Sequence, residues 1–292
     1  MPHNYVDFKI NNYLCTLKQS NYHHFKMATK GALHTFKDSH SVKEAVMSFT
    51  VSPQIQDPHS YGKLLEAGQS LAETYHKFEP VKTVGVRMDI NPINTQYKTI
   101  TDSGFKLISF KNGKITDVIQ GLNQPNSGVF TFNTLNYSRW SDFAPFAMDS
   151  AKKIAAHNPN YKVLSFGLLF IDEFYFDDVN NYVPEQLFNT TSKNLPQGLF
   201  DSAVMDYNLV MRRNKEDKLY QENLSIKIFD EGTKKTIRII ENITFQIQPF
   251  NFVDLLNNPA LHSHMDFIHK ENKSILIDIL NPEVSNLIGL NI

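Results

Sequence analysis

Alternation of apolar and polar residues predicts strands in both halves of the chain. The segments with this two-residue period are 42–51, 81–90, 105–110, 129–135, 200–211, 219–229 and 236–249. A nearly continuous apolar run over 163–176 predicts a further, central strand, covered on both faces or bent at Gly167. The pair Asn112-Gly113 predicts a tight hairpin, because both central residues of a type I′ turn need positive φ.

A second period, of three to four residues, predicts three helices. They cover 60–78, 141–157 and 252–280. Ser60 is suited to cap the first helix, and the pairs Asn158-Pro159 and Asn281-Pro282 stop the second and the third. The helices therefore lie singly between groups of strands.

This order of elements predicts an α+β fold rather than a doubly wound parallel sheet. The predicted fold is a mostly antiparallel sheet or sheets with an N-terminal helix, a middle helix and a long C-terminal helix, and two similar lobes are one arrangement of it. The predicted domains are a polar N-terminal extension over 1–39, a first α+β lobe over 40–178 and a second lobe with the C-terminal helix over 199–292. A single compact unit is the alternative.

Length and composition exclude several classes of protein. The 292 residues are enough to bury a large core, and 29 Lys+Arg against 30 Asp+Glu exclude a globally basic nucleic-acid binder. The lone Cys15 predicts a reducing compartment, and the N-terminus has no signal-peptide pattern. Because no apolar run approaches the roughly 18 residues of a membrane span, the prediction is a cytoplasmic protein that does not enter a membrane.

Positive charge nevertheless gathers in two predicted hairpins of the second half. The residues are Arg212, Arg213, Lys215 and Lys218 in one hairpin and Lys234, Lys235 and Arg238 in the next. If the tips of these hairpins lie together, they form a basic patch for nucleic-acid phosphate or for a protein partner. Two solvated turns are the alternative.

Two acidic or histidine-containing patterns have a chemical interpretation. His262, Asp266 and His269 follow one face of the predicted C-terminal helix, where they could hold a divalent metal ion together with a fourth group from elsewhere. The alternative is a solvated polar face. Asp172-Glu173 and Asp177-Asp178, which flank Phe174-Tyr175-Phe176, are interpreted as a strand emerging into solvent, with an acidic binding edge or a cation site as the alternatives.

Tyr137, Trp140 and Phe143 form an aromatic element before the middle helix. They are predicted to pack the corner between strand and helix, with an aromatic platform for a base as the alternative. With segments 40–46, 130–133, 164–172 and 261–290, this Tyr-x-x-Trp-x-x-Phe element resembles the sporadically distributed family of uncharacterised prokaryotic proteins of about this length. The chain departs from the family pattern at Leu169-Phe170, where the family carries Arg-Tyr.

The resemblance implies no established activity, but its patchy occurrence suggests antiviral-defence or toxin–antitoxin systems. The function predicted is therefore a non-catalytic binding protein without a cofactor. It would recognise a protein partner, a further copy of itself, or a nucleic-acid or nucleotide signal. Two alternatives stay open: a metal-dependent hydrolase or nuclease, and a small-ligand-binding protein with a pocket between a curved sheet and the C-terminal helix, lined by some of the 22 Phe residues.

Overall fold

Ten strands form one antiparallel sheet in the computed structural model. The structure describes residues 33–37, 40–68, 71–89, 94–177, 182–200, 206–215 and 218–290. The strands are β1 (Leu33–Thr35), β2 (Val42–Ser52), β3 (Lys77–Asp89), β4 (Asn94–Lys111), β5 (Lys114–Gln124), β6 (Ser127–Thr134), β7 (Lys162–Phe176), β8 (Asp206–Lys215), β9 (Lys218–Glu231) and β10 (Lys234–Asn251). The helices are α1 (Ser60–Glu66), α2 (Trp140–His157), α3 (Pro184–Leu187), α4 (Phe252–Leu256), α5 (Pro259–Ile279) and α6 (Pro282–Leu287), and a 3₁₀ turn covers Gln197–Phe200.

Strand β7 joins two meanders into the single sheet. The strand order is β3-β4-β5-β6-β2-β7-β10-β9-β8, and the short β1 pairs with the C-terminal end of β7. β2 and β10 flank β7 on its two sides, each over most of its length. The described residues belong to one compact unit that begins at Ala32. Of the predicted extension over 1–39 only 33–37 are described, and Cys15 lies outside the described residues.

The sheet has one buried face, on which the helices pack. Side chains of β6 and β9 alternate between buried and partly exposed positions, as the two-residue period predicts. α1, α4 and α5 each make an aromatic contact with the buried face: Tyr61 stacks on Phe105 at 4.1 Å, Phe252 lies 5.0 Å from Phe49, and Phe267 lies 6.1 Å from Phe245. Burial of this aromatic layer supplies the main hydrophobic stabilisation of the sheet.

The predicted fold class is wrong. Instead of an α+β protein with a long C-terminal helix and two similar lobes, the described chain is mostly one large antiparallel sheet with short helices. The predicted helix over 252–280 is divided into α4 and α5 at Asn258, whose side chain accepts a hydrogen bond from the Ala260 N–H. Pro259 follows at the first position of α5, where its missing N–H costs no helical hydrogen bond.

The predicted helix over 60–78 is also too long. α1 ends at Glu66, and Gly68 adopts a φ of 63°, which is characteristic of a helix end. Leu71 and Tyr75, whose spacing suggested further helical turns, are buried although both lie outside α1. Leu71 belongs to a turn, and Tyr75 comes just before β3. The same apolar spacing thus contributes to the core without a helix.

Turn chemistry and close backbone packing follow the sequence more directly. Asn112 and Gly113 adopt φ values of 53° and 73°, which confirms the predicted hairpin between β4 and β5. At Gly167 in β7, an added Cβ would lie 2.5 Å from the carbonyl oxygen of Ile243 on β10. Glycine is therefore required there by the approach of the neighbouring strand.

Candidate functional site

A cavity of about 510 Å³ opens where the start of β2 meets the C-terminal half of β7. The loop before α2, one face of α5 and the residues after α6 complete its wall. We call it the Asp172 pocket; the lining residues used below are Ser41, Tyr137, Trp140, Phe170, Asp172, His269 and Asn272. Its volume lies in the range typical of pockets for small molecules.

Asp172 is buried at the sheet side of the pocket. Its side chain is 1% exposed, in the series of β7 residues that face the helices. The Ser41 hydroxyl donates a 2.5 Å hydrogen bond to Oδ1, whereas Oδ2 has no hydrogen-bond partner among the described residues. Burial raises the pKa of the Asp172 carboxyl to about 6, and the Ser41 hydrogen bond opposes that shift. At neutral pH the pocket therefore contains a buried, half-satisfied carboxylate.

Asn272 contributes a second unsatisfied group from α5. Its side chain is 2% exposed, and within the described part of the chain neither Oδ1 nor Nδ2 has a hydrogen-bond partner. A buried polar group without a partner costs about 1–3 kcal/mol, and folded proteins contain few of them. Asn272 and Asp172, each with unpaired buried polar atoms, line the same cavity.

Aromatic rings form another wall of the pocket. The Trp140 indole stacks on the His269 imidazole with centroids 4.6 Å apart and planes 13° apart, and its Nε1 donates to Asp266 at 2.9 Å. Tyr137 contacts the Phe170 ring edge to face at 5.8 Å. The polar groups thus lie beside a flat, largely apolar surface.

His269 is uncharged at neutral pH. Burial under Trp140, with a smaller contribution from Lys273, lowers the pKa of His269 to about 4, while Asp266 opposes the shift. Its Nδ1 has no hydrogen-bond partner in the described ranges. The imidazole therefore adds one donor or acceptor to the pocket, but no positive charge.

A second buried acid, Glu241, lies next to Asp172 on the sheet. Glu241 pairs with Phe170 and Ile239 pairs with Asp172, so both acids face the helix-covered side on neighbouring strands. Glu241 is 0% exposed, and neither of its oxygens has a partner among the described residues. Burial, and then the charges of Glu222 and Asp172, raise the pKa of Glu241 well above its ordinary value. Two buried carboxyl groups without an ion-pair partner among the described residues therefore lie on neighbouring strands.

A cavity of nearly the same size shows the opposite pattern. It measures about 520 Å³ and is lined by residues that include Arg213, Lys215, Glu222 and Glu271; we call it the Arg213 cavity. Arg213 Nε lies 2.6 Å from Glu222 Oε2, and Lys215 Nζ lies 2.6 Å from Glu271 Oε1. Its charges satisfy one another, so unpaired polar atoms, rather than size, distinguish the Asp172 pocket.

The predicted metal ligands do not converge. Asp266 accepts from Trp140 and His269 stacks on the same ring, while His262 lies exposed one turn of α5 away from Asp266. No three His, Cys, Asp or Glu side chains among the described residues form a group able to hold a metal ion. The structure thus brings two of the three predicted ligands together around Trp140, outside any such group.

The two groups of basic residues also lie apart. Arg212, Arg213, Lys215 and Lys218 lie near the β8–β9 turn, whereas Lys234, Lys235 and Arg238 lie near the β9–β10 turn. Successive turns of a meander lie at opposite ends of the shared strand, and the 14 residues of β9 separate these turns. At the rise of an antiparallel strand this distance is about 45 Å. The structure therefore forms no single patch from these seven residues.

Most of these basic side chains have acidic or aromatic neighbours. The ion pairs are Arg213–Glu222 at 2.6 Å, Lys215–Glu271 at 2.6 Å, Lys235–Asp230 at 2.7 Å and Arg238–Glu173 at 2.6 Å. Lys218 and Lys234 lie over the rings of Phe267 and Tyr175, at 4.8 Å and 4.5 Å. Binding of nucleic acid through these residues stays a prediction.

The three residues of the aromatic element contact one another between β6 and the start of α2. Phe143 contacts Tyr137 and Trp140 at ring distances of 6.1 Å each, and Tyr137 and Phe143 are buried. Sequence reasoning missed that two members of this element line a pocket together with α5. It also misjudged Asp172, which does not emerge into solvent; the missed signal is that Asp172 continues the buried two-residue series of Phe166, Leu168 and Phe170.

The cover that Trp140 provides to His269 has a measurable consequence. In Trp140→Ala we expect the pKa of His269 to rise from about 4 toward the ordinary value of about 6.5, because water regains access to the imidazole. Titration of the imidazole by NMR measures this change. Trp140→Phe, which keeps an aromatic ring over His269, is the matched control and should leave the value low. Equal values in the two variants would contradict burial by Trp140 as the cause.

Comparison with known proteins identifies no relative of this chain. No protein-family model, no curated protein and no solved structure matches it. The resemblance to the sporadically distributed prokaryotic family stays a prediction. Among the described residues, no helix has both the length and the apolar character needed to cross a membrane.

Proposed function

We propose that this protein is a non-catalytic binding protein that holds one small polar organic molecule in the Asp172 pocket. This proposal keeps the predicted class of function and selects the small-ligand alternative. In a defence or toxin–antitoxin system, which the family resemblance implies, such a molecule would act as a signal.

The grouping around one cavity of residues with unpaired buried polar atoms carries the proposal. Asp172 Oδ2, both amide atoms of Asn272 and Nδ1 of His269 have no hydrogen-bond partner among the described residues, and all three side chains line the pocket. A ligand with donors and acceptors would satisfy them and remove a cost of about 1–3 kcal/mol for each group.

The rest of the lining favours an organic molecule over water alone. Phe170, Leu276 and Ile288 add apolar surface to the aromatic wall of Tyr137 and Trp140. Water gains little from contact with such surface, whereas a carbon framework gains about 25 cal/mol for each Å² that it buries. A few convergent polar groups in a mostly apolar cavity are typical of small-molecule sites.

A ligand panel with two matched variants tests the proposal. Ligand-observed NMR against amino acids, nucleosides, amines and sugars should identify at least one compound that binds the full chain. Asn272→Leu removes both amide atoms at similar volume and should weaken that binding at least about tenfold, since a buried hydrogen bond is lost. Ser274→Ala, on the same helix but lining the Arg213 cavity, should leave it unchanged.

Thermal unfolding separates loss of binding from loss of fold. Because Leu at position 272 replaces an unsatisfied buried amide, the variant should be at least as stable as the natural protein. The proposal is wrong if no compound of the panel binds, or if Asn272→Leu is stable and binds as well as the natural protein.

A further inference from the structure

We propose that the ligand of the Asp172 pocket is an organic cation, of the amidinium, guanidinium or ammonium class. Its charged N–H donors would pair with Asp172 Oδ2, and its carbon body would lie against Tyr137, Trp140 and Phe170. This inference rests on the proposed function and names the chemical class of its ligand.

The buried and partly buried acids of the protein differ in whether a cation lies beside them. Glu222 is 0% exposed and forms an ion pair with Arg213, and the partly buried Glu173 accepts from Lys43 and Arg238 at 2.7 and 2.6 Å. In the described part of the chain these two acids thus have cationic partners.

Two other buried acids, Asp172 and Glu241, differ from them in this respect. In the described ranges no ion pair joins either carboxyl group to Lys or Arg, although both are at most 1% exposed. Asp172 lines the cavity and has a free oxygen, and Glu241 lies one strand farther on the same face. A cationic group entering the pocket would supply the missing charge to Asp172.

The basic residues of the pocket do not supply that charge. Arg139 is directed to Asp142, with Nε 2.9 Å from Oδ1, and 73% of its side chain is exposed. His269 is uncharged at neutral pH because of its burial. Lys273 lines the cavity, but it is exposed to solvent like Arg139.

The aromatic wall supports the same assignment. A cation over the face of Trp or Tyr is attracted by the ring electrons, and buried sites gain more from this contact than exposed sites do. Tyr137 and Phe170 line the cavity beside Asp172, and Trp140 lies on its α5 side. A carboxylate beside aromatic rings is a combination that suits a cation with an apolar body.

Three probes of equal shape and different charge test the inference. Benzamidine is cationic, benzamide is neutral and benzoate is anionic. Calorimetric titration of the full chain at neutral pH should show benzamidine binding about ten- to a hundredfold more tightly than benzamide, since its hydrogen bonds to Asp172 are charge-assisted. Benzoate should bind more weakly than both.

Two isosteric variants show which carboxylate is responsible. Asp172→Asn should remove the preference for benzamidine over benzamide and should stay folded, because it replaces a buried charge by a neutral amide. Glu173→Gln, which changes the next residue on the opposite face of β7, should keep the preference. A folded Asp172→Asn protein that keeps the preference would overturn the inference.

The remaining outcomes separate this inference from the proposed function. If benzamide or benzoate binds as tightly as benzamidine, the ligand is not a cation, while the pocket remains a small-molecule site. If none of the three binds but a neutral or anionic compound of the panel does, the conclusion is the same. If no compound of any charge binds, both proposals fall.

Discussion

Phe130→Ala is expected to lower the free energy of unfolding by about 3–5 kcal/mol, the usual cost of emptying a buried phenylalanine site. Phe130 is 0% exposed and lies at the centre of the aromatic core. Its ring centroid lies 5.5 Å from Tyr161, 6.1 Å from Tyr61 and 6.3 Å from both Phe105 and Phe252. The substitution therefore removes contacts to α1, β4 and α4 together, and the rigid rings around it cannot collapse into the space.

Chemical denaturation followed by circular dichroism measures this loss. Phe250→Ala is the matched control, since the Phe250 side chain, near the end of β10, is 44% exposed. Its loss should change the free energy of unfolding by no more than about 0.5 kcal/mol. A loss below about 1 kcal/mol for Phe130→Ala would contradict the central place of Phe130 in the core.

Asp172→Asn is expected to stabilise the protein at neutral pH and to leave its stability near that of the natural protein in acid. Burial raises the pKa of Asp172 from 3.8 to about 6, so the folded chain holds this proton more tightly than the unfolded chain. The stability that Asp172 provides is complete below about pH 4 and is lost as pH rises to about 6. The difference between 3.8 and about 6 corresponds to a loss of about 3 kcal/mol, which the variant avoids.

His269 acts in the opposite direction over the same range. Its pKa is lowered from 6.5 to about 4 in the folded chain, so its contribution is complete above about pH 6.5 and is lost as pH falls to about 4. In the natural protein the two effects largely cancel. Asp172→Asn removes one of them, and its stability should therefore decline steeply with acid.

Denaturation at a series of pH values from about 4 to 7 measures both slopes. Other titratable or charged groups around Asp172 are His40, Glu241 and Lys273, and Glu241 gains acidity when its charged neighbour is removed. Glu66→Gln, which neutralises an exposed carboxyl at the end of α1, is the control and should follow the natural protein. Parallel curves for Asp172→Asn and the natural protein would show that the Asp172 carboxyl is not perturbed by burial.

Strands were predictable from sequence because their pattern is local. The segment predicted over 42–51 is observed at Val42–Ser52, and the run predicted over 163–176 is observed at Lys162–Phe176. Side-chain alternation along a strand requires only that one face be buried, whatever element covers it. The two-residue period therefore predicted these strands correctly, although the predicted fold class is wrong.

Helices and the pairing of distant strands were harder to predict. Leu71 and Tyr75 have helical spacing but lie outside α1, because the chain turns at Gly68. After that turn a non-helical backbone brings the same two side chains into the core. The pairing of β7 with both β2 and β10 is likewise invisible in local patterns. Without it, the two halves of the sequence suggest two lobes rather than one sheet.

The candidate site shows the same division between local and distant information. The sequence marks Trp140 and the His269 face of α5 as two separate candidates, but nothing in it indicates that the Trp140 and His269 rings stack. Asn272 carries no signal, since its importance lies only in the partners that it lacks. The burial of Asp172 could have been predicted by continuing the two-residue period along β7, which places Asp172 among buried phenylalanines.

The position of β7 between the two meanders also determines when the pocket forms during folding. Neighbouring strands of β3–β6 and of β8–β10 are joined by short local connections, whereas Ser41 and Asp172 are separated by 131 residues and Trp140 and Asp266 by 126. Contacts across such long loops form late, because closing the loop costs entropy before any contact is gained. We therefore expect the Asp172 pocket to be among the last parts of the chain to assemble. A ligand of this pocket would bind only fully folded copies of the protein. A higher ligand concentration would therefore shift the folding equilibrium toward the folded state.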